Sequence, residues 1–143
     1  MSCYNSMVVP APADRVWNTI KNFHDMSWAE GVIETCERVG DRPGDRLGAR
    51  RILNDTFHET LQAVNEIERS FSYSIDDGPG TPVARDKVDG YYGSVQVLPI
   101  SATDESLVVW ASRWETGSAE IAPFCNGIYM ALLNALRGHF AAT

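Results

Sequence analysis

No basic stripe, no uninterrupted apolar run and no cluster of metal-binding side chains occurs in this chain of 143 residues. Each absence removes a class of function. Acidic side chains number 19 against 12 basic ones, a formal charge of −7. The densest positive spot is Arg50-Arg51, with Asp55 and Glu59 close by in sequence. Phosphate recognition wants a concentrated positive face, so nucleic acid is not an expected partner. The most apolar stretch, Ile121 to Phe140, is broken by Asn126, Gly127, Asn134, Arg137 and Gly138. Its apolar residues recur at helical spacing, which predicts a packed helix and no membrane insertion. The opening MSCYNSMVVPAPADRVW lacks a basic segment followed by an apolar core, so no secretion signal is read and a cytoplasmic location is expected.

Cysteine and histidine are also sparse. Cys3, Cys36 and Cys125 are odd in number and far apart, the pattern of reduced thiols rather than of a disulfide framework. His24, His58 and His139 are dispersed, so no metal site is expected. There is no Gly-x-Ser-x-Gly elbow, phosphate loop or dinucleotide fingerprint, and Gly78-Pro79-Gly80 stands in the wrong context for one. No cofactor is therefore expected.

What is present is ordinary globular material, 44% hydrophobic and 22% charged. A chain of this length can fold on its own core, as one domain over residues 1–143, without disulfides or metal. Cys3 to Val9 reads as a strand, and Pro12 and Asp14 suit the first turn of a helix. Val16, Trp17, Ile20 and Phe23 extend that helix to about three turns with one apolar face, assigned to packing. Strand-like runs follow at Val32–Val39, Arg46–Leu53, Phe57–Ile67 and Arg69–Ile75, separated by short turn signals that make neighbours antiparallel. The polar stretch Asp76 to Gly90 reads as a mobile loop. Two more strands, Tyr91–Ile100 and Ser106–Glu115, precede a long helix from Glu120 to His139. The class is α+β.

Strands alternate faces with period two, so one anchor fixes each row. Arg113 and Glu115 are costly to bury unpaired, so Val108, Trp110, Ser112 and Trp114 face inward. Tyr91, Gly93, Val95 and Val97 form the inner row of the preceding strand. Phe71, Tyr73 and Ile75 oppose Ser70, Ser72 and Ser74. Phe57 and Leu61 carry Glu59 inward between them. For Arg50 against Arg51, and for Glu34, alternation alone leaves the facing open. On the last helix Phe124, Ile128, Leu132, Ala135 and Leu136 form the expected inner face, with Met130 and Leu133 outside as a conceivable dimer contact. Monomer and homodimer both stay open.

The order of elements and several local motifs resemble the START-like helix-grip superfamily (SRPBCC), and within it the bacterial polyketide cyclase/dehydrase group. The residues that carry the likeness are Ala11-Pro12-Ala13-Asp14-Arg15-Val16-Trp17, Trp28, Gly48 with Arg51, and Glu59-Thr60-Leu61. Tyr73, Tyr91 with Val97 and Pro99, and Trp110 complete the set. The resemblance spans essentially the whole chain. It implies a curved antiparallel sheet of about seven strands wrapped round the C-terminal helix, with short N-terminal helices after the first strand. It also implies a cavity between sheet and helix for a hydrophobic small molecule, in a lipid- or polyketide-transport or cyclase setting.

The family register turns Arg51 inward. It also turns Glu34 inward, where plant abscisic-acid receptors of this fold carry a ligand-binding lysine, so the charge here is reversed. The expected ligand wall is Trp28, Glu34, Phe57, Tyr73, Tyr91, Val95, Trp110, Ser112, Trp114, Phe124 and Ile128. Mostly apolar walls with a few fixed polar groups suit a ring-containing ligand. An enzyme of cyclase or dehydratase type is the alternative, with Glu59 as base and Arg51 or Tyr91 holding an enolate oxygen. Two influences on Glu59 oppose each other there, since burial raises its pKa and Arg51 lowers it. Arg51 with Glu59 also reads as a buried pair fixing sheet register. A protein-interaction module is the third possibility.

Overall fold

The structure is a computed structural model and describes residues 1–141. Strand β1 (Ser2–Val9) leads through Pro12, whose extended backbone makes it the N-cap, into helix α1 (Ala13–Ile20). This helix is shorter than the spacing predicts: it ends before Phe23, which packs from the following turn, 1% exposed. A short 3-10 turn (Ser27–Ala29) follows. Strands β2 (Cys36–Val39), β3 (Arg50–Leu53), β4 (Phe57–Asn65) and β5 (Ser70–Asp77) come next. The rest is β6 (Val88–Asp89), β7 (Tyr92–Ile100), β8 (Glu105–Arg113), β9 (Thr116–Gly117) and the 21-residue helix α2 (Ile121–Ala141).

Seven strands form one sheet in the order β1-β8-β7-β5-β4-β3-β2, every pair antiparallel. The first strand thus lies beside the last long one, and α2 packs across that half of the sheet and against the 3-10 turn. The β4–β5 ladder shifts register at His58/Glu59 and again at Leu61/Ala63. Such bulges bend a strand and increase its twist, which curves the sheet toward α2. Between β3 and β4 the chain reverses through Asn54 and Asp55, with φ of 52° and 54°, and the Thr56 N–H closes onto the Leu53 carbonyl at 3.0 Å. Asn and Asp tolerate this left-handed region better than most side chains.

Two expected strands are shorter than their sequence suggests. Val32 to Thr35 is not strand; Asn54 holds it instead, its Oδ1 accepting from the Glu34 N–H at 2.8 Å and its amide donating to the Val32 carbonyl at 3.0 Å. Arg46 to Ala49 is irregular too, although Gly48 (φ +85°) and Ala49 still exchange backbone bonds with Leu61. The Asp76–Gly90 stretch does not stand clear of the body as a loop. Val83 and Ala84 are buried, Thr81 Oγ1 donates to the Gly78 carbonyl, and β6 pairs with β9. Among the described residues no helix is long and apolar enough to cross a membrane.

Helix α2 presents Ile121, Cys125, Tyr129, Leu132, Leu133, Leu136 and Phe140 to the core. The buried stripe is therefore rotated from the one expected. Leu133, placed outside by the sequence, is fully buried, while Phe124, Ile128 and Ala135 are partly exposed flank.

Candidate functional site

Between the concave face of the sheet and α2 lies a cavity of about 30 Å³, room for a water molecule or two. Strands β3, β4, β5 and β8 supply Arg51, Leu53, Phe57, Glu59, Tyr73, Ile75 and Trp110 to its wall, with Tyr91 just ahead of β7. Helix α2 supplies Phe124, Cys125, Ile128, Tyr129 and Leu132, while Ile33 and Val83 close it from the irregular segments. Nearly all of the wall is carbon.

Its polar atoms form two sets. Arg51 and Glu59 are direct partners across β3 and β4, 2% and 5% exposed. The guanidinium places Nε at 2.8 Å and Nη2 at 2.7 Å from one carboxylate oxygen, Oε1. Nη1 donates to the Phe23 carbonyl at 2.9 Å and to the Met26 sulfur at 3.4 Å, and the guanidinium carbon sits 3.8 Å from the Phe23 ring centroid. Arg51 is thus held from three sides. Burial lifts the Glu59 carboxyl above the ordinary range, opposed by the neighbouring Arg51 charge, and burial is the larger influence.

The second set is a directed chain of hydroxyls. Trp110 Nε1 donates to Tyr73 Oη at 2.9 Å, and Tyr73 donates to Tyr129 at 3.0 Å. The Tyr129 and Tyr91 hydroxyls lie 2.5 Å apart, and Tyr91 donates to Cys125 Sγ at 3.1 Å. An indole N–H can only donate, so it fixes the direction at one end. Tyr129 then donates to Tyr91, whose own hydrogen is committed to the sulfur. Burial raises the pKa of all three tyrosines and pushes the Cys125 thiol up to about 11. All four groups are neutral at ordinary pH.

Gly93 makes the arrangement possible. It is the register partner of Tyr73, and a Cβ at this position would overlap the Tyr73 ring.

Of the residues singled out by sequence, Arg51, Phe57, Glu59, Tyr73, Tyr91, Trp110, Phe124 and Ile128 meet at the cavity. Five do not. Trp28 is buried behind the wall, its ring centroid 6.2 Å from that of Trp110. Trp114 stacks on Tyr91 at 5.8 Å and also stays behind it. Val95 is closed into the core, and Ser112 bonds Cys3 Sγ at 2.8 Å. Glu34 is exposed, contrary to the family register, because it precedes β2 and is not part of the strand that would turn it inward. The sequence reasoning missed Cys125 and Tyr129. Their signal is the i, i+4 series Ile121-Cys125-Tyr129-Leu133, which satisfies helical spacing as well as the Phe124-Ile128-Leu132 stripe does.

A larger groove of about 320 Å³ lies among β1, β5, β7 and β8, bordered by Ser72, Tyr92, Ser94 and Arg113. It opens to solvent, and its buried polar side chains, Ser112 and Cys3, are bonded to each other, so the inner cavity is the candidate site. Among the described residues no group of His, Cys, Asp and Glu could hold a metal, and all three cysteines are free.

Comparison with known proteins places this geometry. A family model described as polyketide cyclase/dehydrase and lipid transport matches residues 2–141. No curated protein is significantly similar. A solved protein of Nitrosospira multiformis is 44% identical, covers 98% of this chain and 96% of its own, and superimposes with a TM-score of 0.94. An uncharacterized protein of Bacillus thuringiensis is 27% identical, with 99% of each chain covered and a TM-score of 0.79. Protein XoxI of Bacillus cereus is 26% identical, covering 98% of this chain and 95% of its own, also with a TM-score of 0.79. The helix wrapped by a seven-stranded sheet, and the match over nearly its full length, make this chain a member of the polyketide cyclase/dehydrase and lipid-transport family.

Proposed function

We propose that the protein binds a hydrophobic, ring-containing small molecule in the cavity between the sheet and α2. The observation that carries this is the pairing of an almost wholly apolar wall with two sets of buried polar groups, Arg51–Glu59 and the tyrosine chain. Aromatic walls offer offset stacking to a flat ring, and fixed polar groups orient it. A cavity of about 30 Å³ is too small for a ring as it stands. Binding therefore includes an outward shift of Val83 or of the Phe57–Phe124 contact, whose centroids are 6.1 Å apart. Titration with 2-naphthol, followed by native mass spectrometry and tryptophan fluorescence, tests this. A one-to-one complex with quenching is expected; no complex at any concentration contradicts it.

A second reading is acid/base catalysis of ring closure or water elimination, favoured by the raised pKa of Glu59 on the cavity wall. Holding an enolate oxygen needs a free donor. Tyr91 gives its hydrogen to Cys125, and Arg51 is largely committed to Glu59, Phe23 and Met26. Turnover of a poly-β-ketone substrate that Glu59→Gln abolishes without loss of fold would establish it. Binding without turnover leaves the first reading alone.

A further inference from the structure

Granted that the cavity is the binding site, as proposed above, we infer that its ligand is a hydrogen-bond donor, a flat ring system carrying a phenol or alcohol rather than a carboxylate. Apart from the weak S–H of Cys125, the strong donors of the wall are already committed. Tyr73, Tyr129 and Tyr91 each donate along the chain that ends on Cys125 Sγ. Trp110 donates to Tyr73. Arg51 spends hydrogens of Nε, Nη1 and Nη2 on Glu59, Phe23 and Met26. Its one remaining Nη2 hydrogen lies beside the Glu59 carboxylate, which repels any anion brought there. Two indole N–H groups are buried without a partner, but Trp28 and Trp114 do not line the cavity.

Acceptors, by contrast, are left over. Both Arg51 contacts to Glu59 fall on Oε1, and among the described residues no hydrogen bond uses Oε2. The Tyr73 and Tyr129 oxygens each accept one hydrogen and keep acceptor capacity toward the cavity. A ligand O–H adds a bond without breaking one. A ligand carboxylate would have to strip a hydrogen from the tyrosine chain and leave an acceptor there unpaired, in a site where unpaired polar groups are expensive.

The test compares three probes of the same ring, 2-naphthol, 2-methoxynaphthalene and 2-naphthoate, by fluorescence titration near neutral pH. The expected order is naphthol tightest, the ether weaker by about tenfold or more, and naphthoate weaker still. An ether that binds as tightly as naphthol, or a naphthoate that binds best, overturns the donor inference while leaving the cavity reading intact. Failure of all three to bind overturns both.

Discussion

Arg51 and Glu59 face each other in register across β3 and β4, with two guanidinium nitrogens on a single carboxylate oxygen. The pair is both a clamp between strands and part of the cavity wall. Taking two charges from water is costly, and the cost is recovered only while both partners are present. Glu59→Ala should therefore destabilise the fold by about 3–5 kcal/mol, because Arg51 is left buried and uncompensated. The double variant Arg51→Met, Glu59→Leu should recover most of that loss. Urea unfolding of the three proteins checks the prediction.

Gly93 sets the position of Tyr73. Replacing it with alanine drives a methyl group into the Tyr73 ring, and the ring must leave Trp110 and Tyr129 to escape. Overpacking of this kind costs about 1–3 kcal/mol. Gly93→Ala should be less stable by that amount, with weakened 2-naphthol binding, whereas Gly127→Ala, where nothing lies near the added carbon, should be neutral or mildly stabilising.

Alkaline pH should unfold the protein early. The folded Cys125 thiol ionises at about 11, against 9.0 for an ordinary thiol. The folded state thus keeps its proton over a range where the unfolded chain has lost it, and unfolding releases a proton. Stability from this group is complete below about pH 9 and falls as pH rises through about 11. The buried tyrosines act in the same direction at higher pH. Unfolding free energies measured from about pH 8 to about pH 10.5 should decline, and Cys125→Ala should decline less steeply.

Val83 closes the cavity from the segment between β5 and β6, 1% exposed. Val83→Ala removes about two methylene equivalents from the core, a loss of about 2 kcal/mol. The same change lowers the obstacle to entry, so 2-naphthol should associate faster in stopped-flow fluorescence. An unchanged association rate would show that the ligand enters elsewhere.

Much of this design could be read from residue order, and the exceptions have physical causes. The alternation of Phe71, Tyr73 and Ile75 against three serines fixed one face of β5, and Trp110 fixed β8, because charged residues marked the opposite side. Arg50 and Arg51 could not be told apart alone, since Ile52 and Leu53 offer both of them an apolar neighbour. What decides is the partner strand, where Glu59 stands opposite Arg51. Alternation leaves Glu34 open, and the family register that turns it inward fails here because the Asn54 side chain holds Val32 to Thr35 out of the strand. On α2 two overlapping stripes satisfy helical spacing, and only packing against β1 and the 3-10 turn selects the one with Cys125 and Tyr129. The cavity's size depends on packing at the scale of a single methyl group, below what residue pattern records.

The most direct test of a ligand site inside the fold is an amide, indole and methyl NMR titration with 2-naphthol. The Trp110 indole N–H, bonded to Tyr73 at the centre of the cavity wall, should shift together with the methyls of Leu53 and Ile128. The amides of Ser72, Ser94 and Arg113, around the larger solvent-open groove, should stay in place. Shifts confined to those three amides, with Trp110 unmoved, would contradict binding between the sheet and α2.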